Sequence, residues 1–193
     1  MELLIAGLIL FLGAHSLRIV ADDWRTQMLE ELGEKKWKGL ISLVSIAGFV
    51  LMIVGFDHAR IAPLQLWHPP VWSRHLAVLL TLIAFILLAA TYVPRNFFKE
   101  KIGHPMIVSV KLWAFAHLLA NGTLADLLLF GSFLIWAVLD FRVSRRRDRM
   151  NGTSYPEGAL TNTLLTVAVG AAVWAVFLLW LHARWVGVAP LGM

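Results

Sequence analysis

The sequence predicts an all-α, polytopic membrane protein: a bundle of about six transmembrane helices. Three observations predict this fold class: 59% of the residues are hydrophobic, only 15% are charged, and the mean hydropathy is +0.74. A water-soluble domain has too little interior to bury that much apolar surface. No polar linker divides the 193 residues, so residues 1–193 are expected to form a single transmembrane domain.

Six apolar runs are candidate spans, because crossing ~30 Å of hydrocarbon takes ~20 mostly apolar residues. They lie at residues 3–20, 40–56, 75–93, 105–120, 124–140 and 163–181. The fourth run is the weakest candidate, since it is short and contains Lys111 and His117. The first run lacks the basic segment that opens a signal peptide, and we expect it to be retained.

The segments around these runs carry further local signals. Residues 22–32 have the pattern of a short amphipathic helix at the membrane surface. Gly7 in the first run permits close approach of a neighbouring helix. Thr123 and Asp126 fit a capping box that opens the fifth run. The polar stretch 144–163 is predicted to be a mobile loop.

The distribution of Lys and Arg predicts the orientation, since these residues are held preferentially on the cytoplasmic side. One side of the predicted bundle holds 12 of the 17 basic residues, and the other holds only Arg60, Arg74 and Arg184. Both termini are therefore predicted to face outward. The net charge of +5 does not predict nucleic-acid binding, because the basic residues follow span ends, where anionic lipid headgroups attract them. The predicted partner of this surface is the lipid bilayer.

Ionisable side chains inside hydrocarbon are costly and are candidate site residues. Four fall within the predicted spans, namely His15, Arg18, Lys111 and His117, and His104 lies at the cytoplasmic mouth of the fourth span. His15 and Arg18 share one helical face of the first span. Trp113, His117 and Asn121 follow one another at intervals of four residues, so they share a face of the fourth span.

Two histidines on separate helices can hold a b-type haem without covalent attachment, because neutral imidazole is a common metal ligand. Arg18 and Lys111 are then candidates to neutralise the haem propionates. Spacing leaves other roles for His15 and His117 open, since paired histidines can equally bond a backbone or line a proton path. The chain has no cysteine, which excludes thiolate ligands, iron–sulfur clusters and covalently attached haem.

At these same positions the sequence resembles the NnrU family of membrane proteins. The segments that carry the resemblance are FLGAHSLR at residues 11–18, KGLISLVS at 38–45, GHPM at 103–106 and KLWAFAHLLANG at 111–122. The similarity covers most of residues 1–145. That family is named for a protein encoded among bacterial denitrification genes and linked to nitrite and nitric oxide reduction, and it is related to the plastid 15-cis-zeta-carotene isomerase, which holds a b-type haem.

The resemblance implies non-covalent haem b bound by His15 and His117, with His104 as the substitute if one of the pair is wrong. It implies a multi-pass protein of the bacterial inner membrane associated with nitrite and nitric oxide reduction, whose partner is the nitrogen-oxide reductase machinery or a hydrophobic small molecule. Two alternatives stay open: a haem-dependent cis–trans isomerase of a carotenoid-like polyene, and a non-enzymatic assembly or scaffold protein. Whether the protein is an enzyme, and which residues would then be catalytic, is left undecided by the sequence.

Overall fold

A computed structural model describes residues 1–191, and in this part of the chain every regular element is helical. The elements are α1 (Glu2–Val20), α2 (Asp22–Leu32), α3 (Glu34–Ile61), α4 (Val71–Tyr92), α5 (Phe97–Ile102), α6 (Pro105–Ala120), α7 (Leu124–Asn151), α8 (Leu160–Val176), a π-helical turn (Phe177–Leu181) and α9 (His182–Val186). Within residues 1–191 the β-structure is limited to an isolated bridge between Gln65 and Thr123. The predicted all-α fold class is confirmed.

Five segments are long and apolar enough to cross a membrane: α1, α3, α4, α7 and the continuous stretch from α8 to α9. The sixth predicted span is α6, which has 16 residues and reaches only ~24 Å at ~1.5 Å per residue. The polytopic fold is therefore confirmed with five full-length spans and one shorter apolar helix. The outward position of both termini stays a prediction, as does the assignment of a single domain.

By their contacts the residues group into two compact units, of which unit 1 comprises residues 1–67 and 122–140. Within it α1 packs along α3, and the buried centre is formed by the side chains of Leu4, Leu8, Met52, Ala59 and Ala125. A Cβ atom on Gly7 would lie 2.5 Å from the backbone nitrogen of Met52, and one on Gly48 would lie 2.7 Å from that of Phe11. The close approach predicted at Gly7 is confirmed.

The glycine contact gives a first testable prediction. Gly48→Ala should destabilise the protein by about 1–3 kcal/mol, because its methyl group would overlap the backbone of Phe11 and push α1 away from α3. Gly39→Ala on the same helix is the matched control, since nothing lies within 4 Å of its Cβ position and alanine favours a helix more than glycine does. Thermal unfolding in detergent compares the two, and equal melting temperatures would contradict the close packing.

The helix predicted over residues 22–32 and the capping box predicted at Thr123 and Asp126 are both found in unit 1. Residues 22–32 form α2, none of whose residues is buried, and its position at the membrane surface stays a prediction. At the start of α7, the backbone N–H of Thr123 donates to Oδ2 of Asp126 at 3.0 Å, and the backbone N–H of Asp126 donates to Oγ1 of Thr123 at 3.2 Å. This reciprocal pair is a capping box, and it fixes where α7 begins.

Unit 2 comprises residues 68–121 and 141 onward, and in it α4 packs against both α6 and α8. A fully buried Asn96 joins the end of α4 to α5, because its side-chain amide donates to the carbonyl of Ala90 at 2.9 Å while its oxygen accepts the N–H of Lys99 at 2.8 Å. His104 caps the start of α6 and Pro105 is its first residue, as expected of a proline at a helix start.

The mobile loop predicted over residues 144–163 is wrong in extent. Residues 144–151 continue α7, because arginine favours helix, and α8 begins at Leu160. The remaining linker, residues 152–159, is bonded to α5 and its surroundings: the N–H of Gly158 donates to Oε2 of Glu100 at 2.8 Å, and the N–H of Ala159 donates to the carbonyl of Arg95 at 2.7 Å. Backbone N–H groups of the linker, rather than its polar side chains, make these bonds.

Candidate functional site

Unit 2 contains a cavity of about 480 Å³ between α4, α6 and the segment from α8 to residue 190. We call it the unit-2 cavity. Small side chains make the space, because Ala77 and Ala84 of α4 and Ala116 and Ala120 of α6 leave room between the helices. Aromatic rings line much of the rest, namely Phe85, Trp113, Trp174 and Phe177. A largely apolar cavity of this size is typical of a site for a small molecule or cofactor.

The unit-2 cavity has hydroxyls at Thr81 and Ser109 along its walls, whereas its cationic, amide and imidazole groups lie toward one end of the helices. Arg74 lies in the first turn of α4, His117 in the last turn of α6, Asn121 directly after α6, and His182 directly after the π-turn. By the distribution of basic residues, this is the end predicted to face outward. The cavity is thus an apolar chamber with a cation, an amide and two imidazoles near one end.

His117 is held in a definite tautomer. Its Nδ1 lies 2.8 Å from the carbonyl oxygen of Trp113, one turn earlier on α6, so Nδ1 carries the proton and donates it. Nε2 then carries the ring's lone pair, which is the form that binds a metal ion. The amide of Asn121 donates to the carbonyl of His117 at 2.9 Å and holds the end of the helix in place. The three residues predicted to share a face, Trp113, His117 and Asn121, all line the unit-2 cavity.

His182, which was not among the candidate site residues of the sequence, lines the same cavity. Gly187 ends α9 with a positive φ of 76°, which turns the chain back toward the cavity. His182 Nδ1 consequently lies 2.7 Å from the carbonyl oxygen of Val188, which again places the lone pair on Nε2. The available signal was its position one residue after the apolar run 163–181, at the same predicted end as His117.

His15 and Arg18 belong to unit 1. The Nδ1 atom of His15 lies 2.7 Å from the carbonyl oxygen of Phe11, and the two rings stack with centroids 4.3 Å apart. The Trp136 ring lies 6.2 Å from that of His15, and its buried Nε1–H has no hydrogen-bond partner in the described residues. A buried N–H without an acceptor is uncommon in folded proteins. Arg18 lies in the last turn of α1.

His104 and Lys111 belong to unit 2 but do not line the cavity. His104 Nε2 lies 2.9 Å from Oδ2 of Asp148, which also accepts from the hydroxyl of Tyr155 at 3.0 Å and from Arg145 at 3.3 Å. Burial, together with the bond to Asp148, raises the pKa of the Tyr155 hydroxyl above its ordinary value, so this tyrosine stays protonated. The Lys111 ammonium lies 3.8 Å from the ring centroid of Phe141 in a cation–π contact.

The predicted site residues therefore fall into three places: His117 at the unit-2 cavity, His15 with Arg18 in unit 1, and His104 and Lys111 in polar and cation–π contacts of unit 2. Within residues 1–191 no three His, Asp or Glu side chains converge as a metal-binding group would require. A protein site for a bare metal ion commonly needs three or four such ligands. The unit-2 cavity is lined by two imidazoles, those of His117 and His182.

Five membrane-length helices and a largely apolar cavity with imidazoles at one end define a polytopic membrane protein with an internal cavity. The chain belongs to the NnrU family, since the model of that family, described as NnrU protein, matches residues 3–190. The resemblance found in residues 1–145 is thus confirmed over nearly the whole chain. Neither the curated proteins nor the solved structures contain a match.

Proposed function

We propose that the protein binds haem b in the unit-2 cavity, with His117 as an iron ligand, and acts in bacterial nitrite and nitric oxide reduction. The observation that carries the proposal is His117 itself, an imidazole on the wall of a cavity of about 480 Å³ with its Nδ1 bonded to Trp113. That bond orients the ring and puts the lone pair on Nε2, and backbone carbonyls orient metal-bound histidines in the same way, which supports the proposal.

The remaining walls suit a haem. Cofactor sites commonly measure ~300–1,000 Å³ and are mostly apolar with a few placed polar groups, and the unit-2 cavity is of this kind. Arg74 can pair with a propionate at the polar end, because guanidinium binds carboxylate through two parallel hydrogen bonds. The rings of Trp113, Trp174 and Phe177 provide flat surfaces for a porphyrin and keep water away from it.

A haem bound here would supply one-electron chemistry and an iron that binds small nitrogen oxides. The chain's own residues hold and orient it, and they set how polar its surroundings are. The link to nitrite and nitric oxide reduction is supported by membership of the NnrU family. The position in the bacterial inner membrane, the reductase machinery as a partner and the alternatives of a polyene isomerase or a scaffold stay predictions.

The other predicted site residues keep their roles as predictions. His15 has the same Nδ1-to-carbonyl bond as His117, and the unpaired Nε1–H of Trp136 nearby supports a ligand group in its vicinity. Arg18 and Lys111 stay candidates for propionate contacts. His104 is a weaker ligand candidate, because the Asp148 carboxylate already accepts its Nε2–H.

Haemin titration of the detergent-purified protein tests the proposal. A Soret band should grow and saturate near one haem per chain, and dithionite should produce sharp α and β bands. His75→Ala is the matched control and should behave as wild type, because His75 lies on α4 near Arg74 but does not line the cavity. Well-folded protein that gives no saturable Soret band would overturn the proposal and favour the scaffold alternative.

A further inference from the structure

Two basic side chains meet where α6 and the end of α7 run side by side in unit 2. His104 Nε2 lies 2.9 Å from Oδ2 of Asp148, and the Lys111 ammonium lies 3.8 Å from the ring centroid of Phe141. These contacts define an antiparallel register, because seven residues forward on α6 correspond to seven residues back on α7. Arg142 directly follows Phe141, so the register brings it beside Lys111.

Lys111 and Arg142 are neighbouring cations without an acid to neutralise them. The charge of Arg142 acts on the Lys111 ammonium, and like charges repel. Within residues 1–191 neither side chain has a carboxylate within ion-pair distance. The carboxylate of Asp148 already accepts bonds from three other side chains. A bound anion would replace the repulsion between the two cations by attraction to both.

The pair lies where α7 leaves the hydrocarbon. From its first residue, Leu124, to Phe141 the helix rises ~26 Å, which is close to the ~30 Å thickness of the hydrocarbon core. Arg142 is exposed, and Arg146 and Arg149 follow it at intervals of four and three residues, exposed on the same face of the helix. A cationic stripe therefore continues from the pair into the headgroup region.

An apolar surface continues from the pair in the opposite direction. Phe115 lies one turn deeper on α6 than Lys111, on the same side of the helix, and 44% of it is exposed. A ligand held here thus meets two cations at one end and an apolar side chain at the other. A soluble anion would gain nothing from the apolar part. Basic pockets between membrane helices are known to bind the head groups of anionic lipids.

We propose that Lys111 and Arg142 bind the phosphate group of an anionic phospholipid whose acyl chain lies along Phe115. A guanidinium group binds phosphate oxygens through two parallel hydrogen bonds, and an ammonium group adds a further charged donor. Phosphatidylglycerol fits, because it has a net negative charge. The quaternary ammonium of phosphatidylcholine would instead be repelled by Arg146 and Arg149.

This inference is independent of the proposed function. Neither Lys111 nor Arg142 lines the unit-2 cavity, so an anion between them is not a propionate of a haem held there. It gives Lys111 an anionic partner other than the propionate predicted from the sequence.

Titration of the delipidated, detergent-solubilised protein with phosphatidylglycerol, followed by native mass spectrometry, measures the lipid affinity. Arg142→Gln should weaken the tightest binding about fivefold, which corresponds to the ~1 kcal/mol that one basic side chain contributes near anionic headgroups. Lys36→Gln is the matched control, because it removes the same charge from an exposed position at the start of α3 and should bind the lipid as wild type does.

Thermal unfolding in nanodiscs separates lipid binding from folding. In phosphatidylcholine alone, Arg142→Gln should be at least as stable as wild type, because it removes one of two repelling cations. Added phosphatidylglycerol should raise the melting temperature of wild type more than that of the variant. A variant that is less stable than wild type in phosphatidylcholine would contradict the repulsion and overturn the inference.

Three further outcomes would also overturn it. Equal lipid affinity in Arg142→Gln and wild type would show that Arg142 does not bind the headgroup. Equal losses in Arg142→Gln and Lys36→Gln would show that only the overall charge attracts the lipid. A gain in melting temperature from inorganic phosphate as large as that from phosphatidylglycerol would assign the two cations to a soluble anion.

Discussion

Haem affinity should fall by at least ~100-fold when His117 is replaced by alanine. Changing a residue that merely supports a metal ligand typically costs 10- to 100-fold in affinity, and removing the ligand atom should cost no less. The Nδ1 bond of His117 joins it to Trp113 on its own helix, so removing the imidazole leaves the backbone hydrogen bonds of α6 in place. Haemin titration followed at the Soret band measures the affinity, and thermal unfolding of the haem-free protein checks the fold.

Free imidazole provides a sharp control for this variant. Truncation to alanine leaves space on the cavity wall, so added imidazole should enter and restore a ligated spectrum to His117→Ala. No such recovery is expected if haem is lost through collapse of the unit. An unchanged affinity in His117→Ala, with a loss in His104→Ala or His15→Ala, would show that His117 is not the ligand.

The fraction of molecules in which the linker 152–159 is open should increase about 30-fold when Asp148 is replaced by alanine. The carboxylate of Asp148 accepts from His104, Tyr155 and Arg145, and its backbone carbonyl accepts the N–H of Thr153 at 2.9 Å. Loss of a shared acceptor of this kind costs about 2 kcal/mol, because the donors lose a charged partner in a half-buried place. Because each 1.4 kcal/mol changes an equilibrium constant tenfold, a loss of about 2 kcal/mol raises the population of the open linker about 30-fold.

Limited proteolysis in the native state measures this opening, because cleavage follows the open population when reclosing is fast. Trypsin cleavage around Arg149 is the readout. Glu157→Ala is the matched control, since it removes an exposed carboxylate from the same linker and should leave the cleavage rate unchanged. Equal cleavage rates in Asp148→Ala and wild type would mean that the cluster of His104, Asp148 and Tyr155 does not hold the linker.

Much of the fold could be predicted from the sequence because hydropathy and capping are local properties. The apolar runs at 3–20 and 40–56 lie within α1 and α3, and the run at 75–93 ends one residue beyond α4. The capping box at Thr123 and Asp126 forms as expected. The arginine-rich end of α7 was assigned to a loop as part of the polar stretch 144–163, whereas helix propensity and the bonds of Asp148 favour a helix that continues to Asn151.

The candidate site was predicted less completely, because proximity between helices is not encoded in any short segment. Helical spacing placed His117, Trp113 and Asn121 on one face, and these three do meet the unit-2 cavity. Spacing could not find His182, since a uniform α-helical period directs it elsewhere and the π-turn shifts that period by one residue. Arg74 was likewise counted only as a topology signal.

The sequence by itself determined that this is a helical membrane protein with histidines inside its spans. The excess of apolar residues, and the unfavourable free energy of placing ionisable groups in hydrocarbon, are the same for any arrangement of the helices. Only the tertiary structure decided which imidazoles share a cavity. Packing of α4 against α6 and α8 created the space beside His117, and one π-helical bond turned His182 toward it. Both depend on contacts between segments far apart in the chain, which a linear pattern does not record.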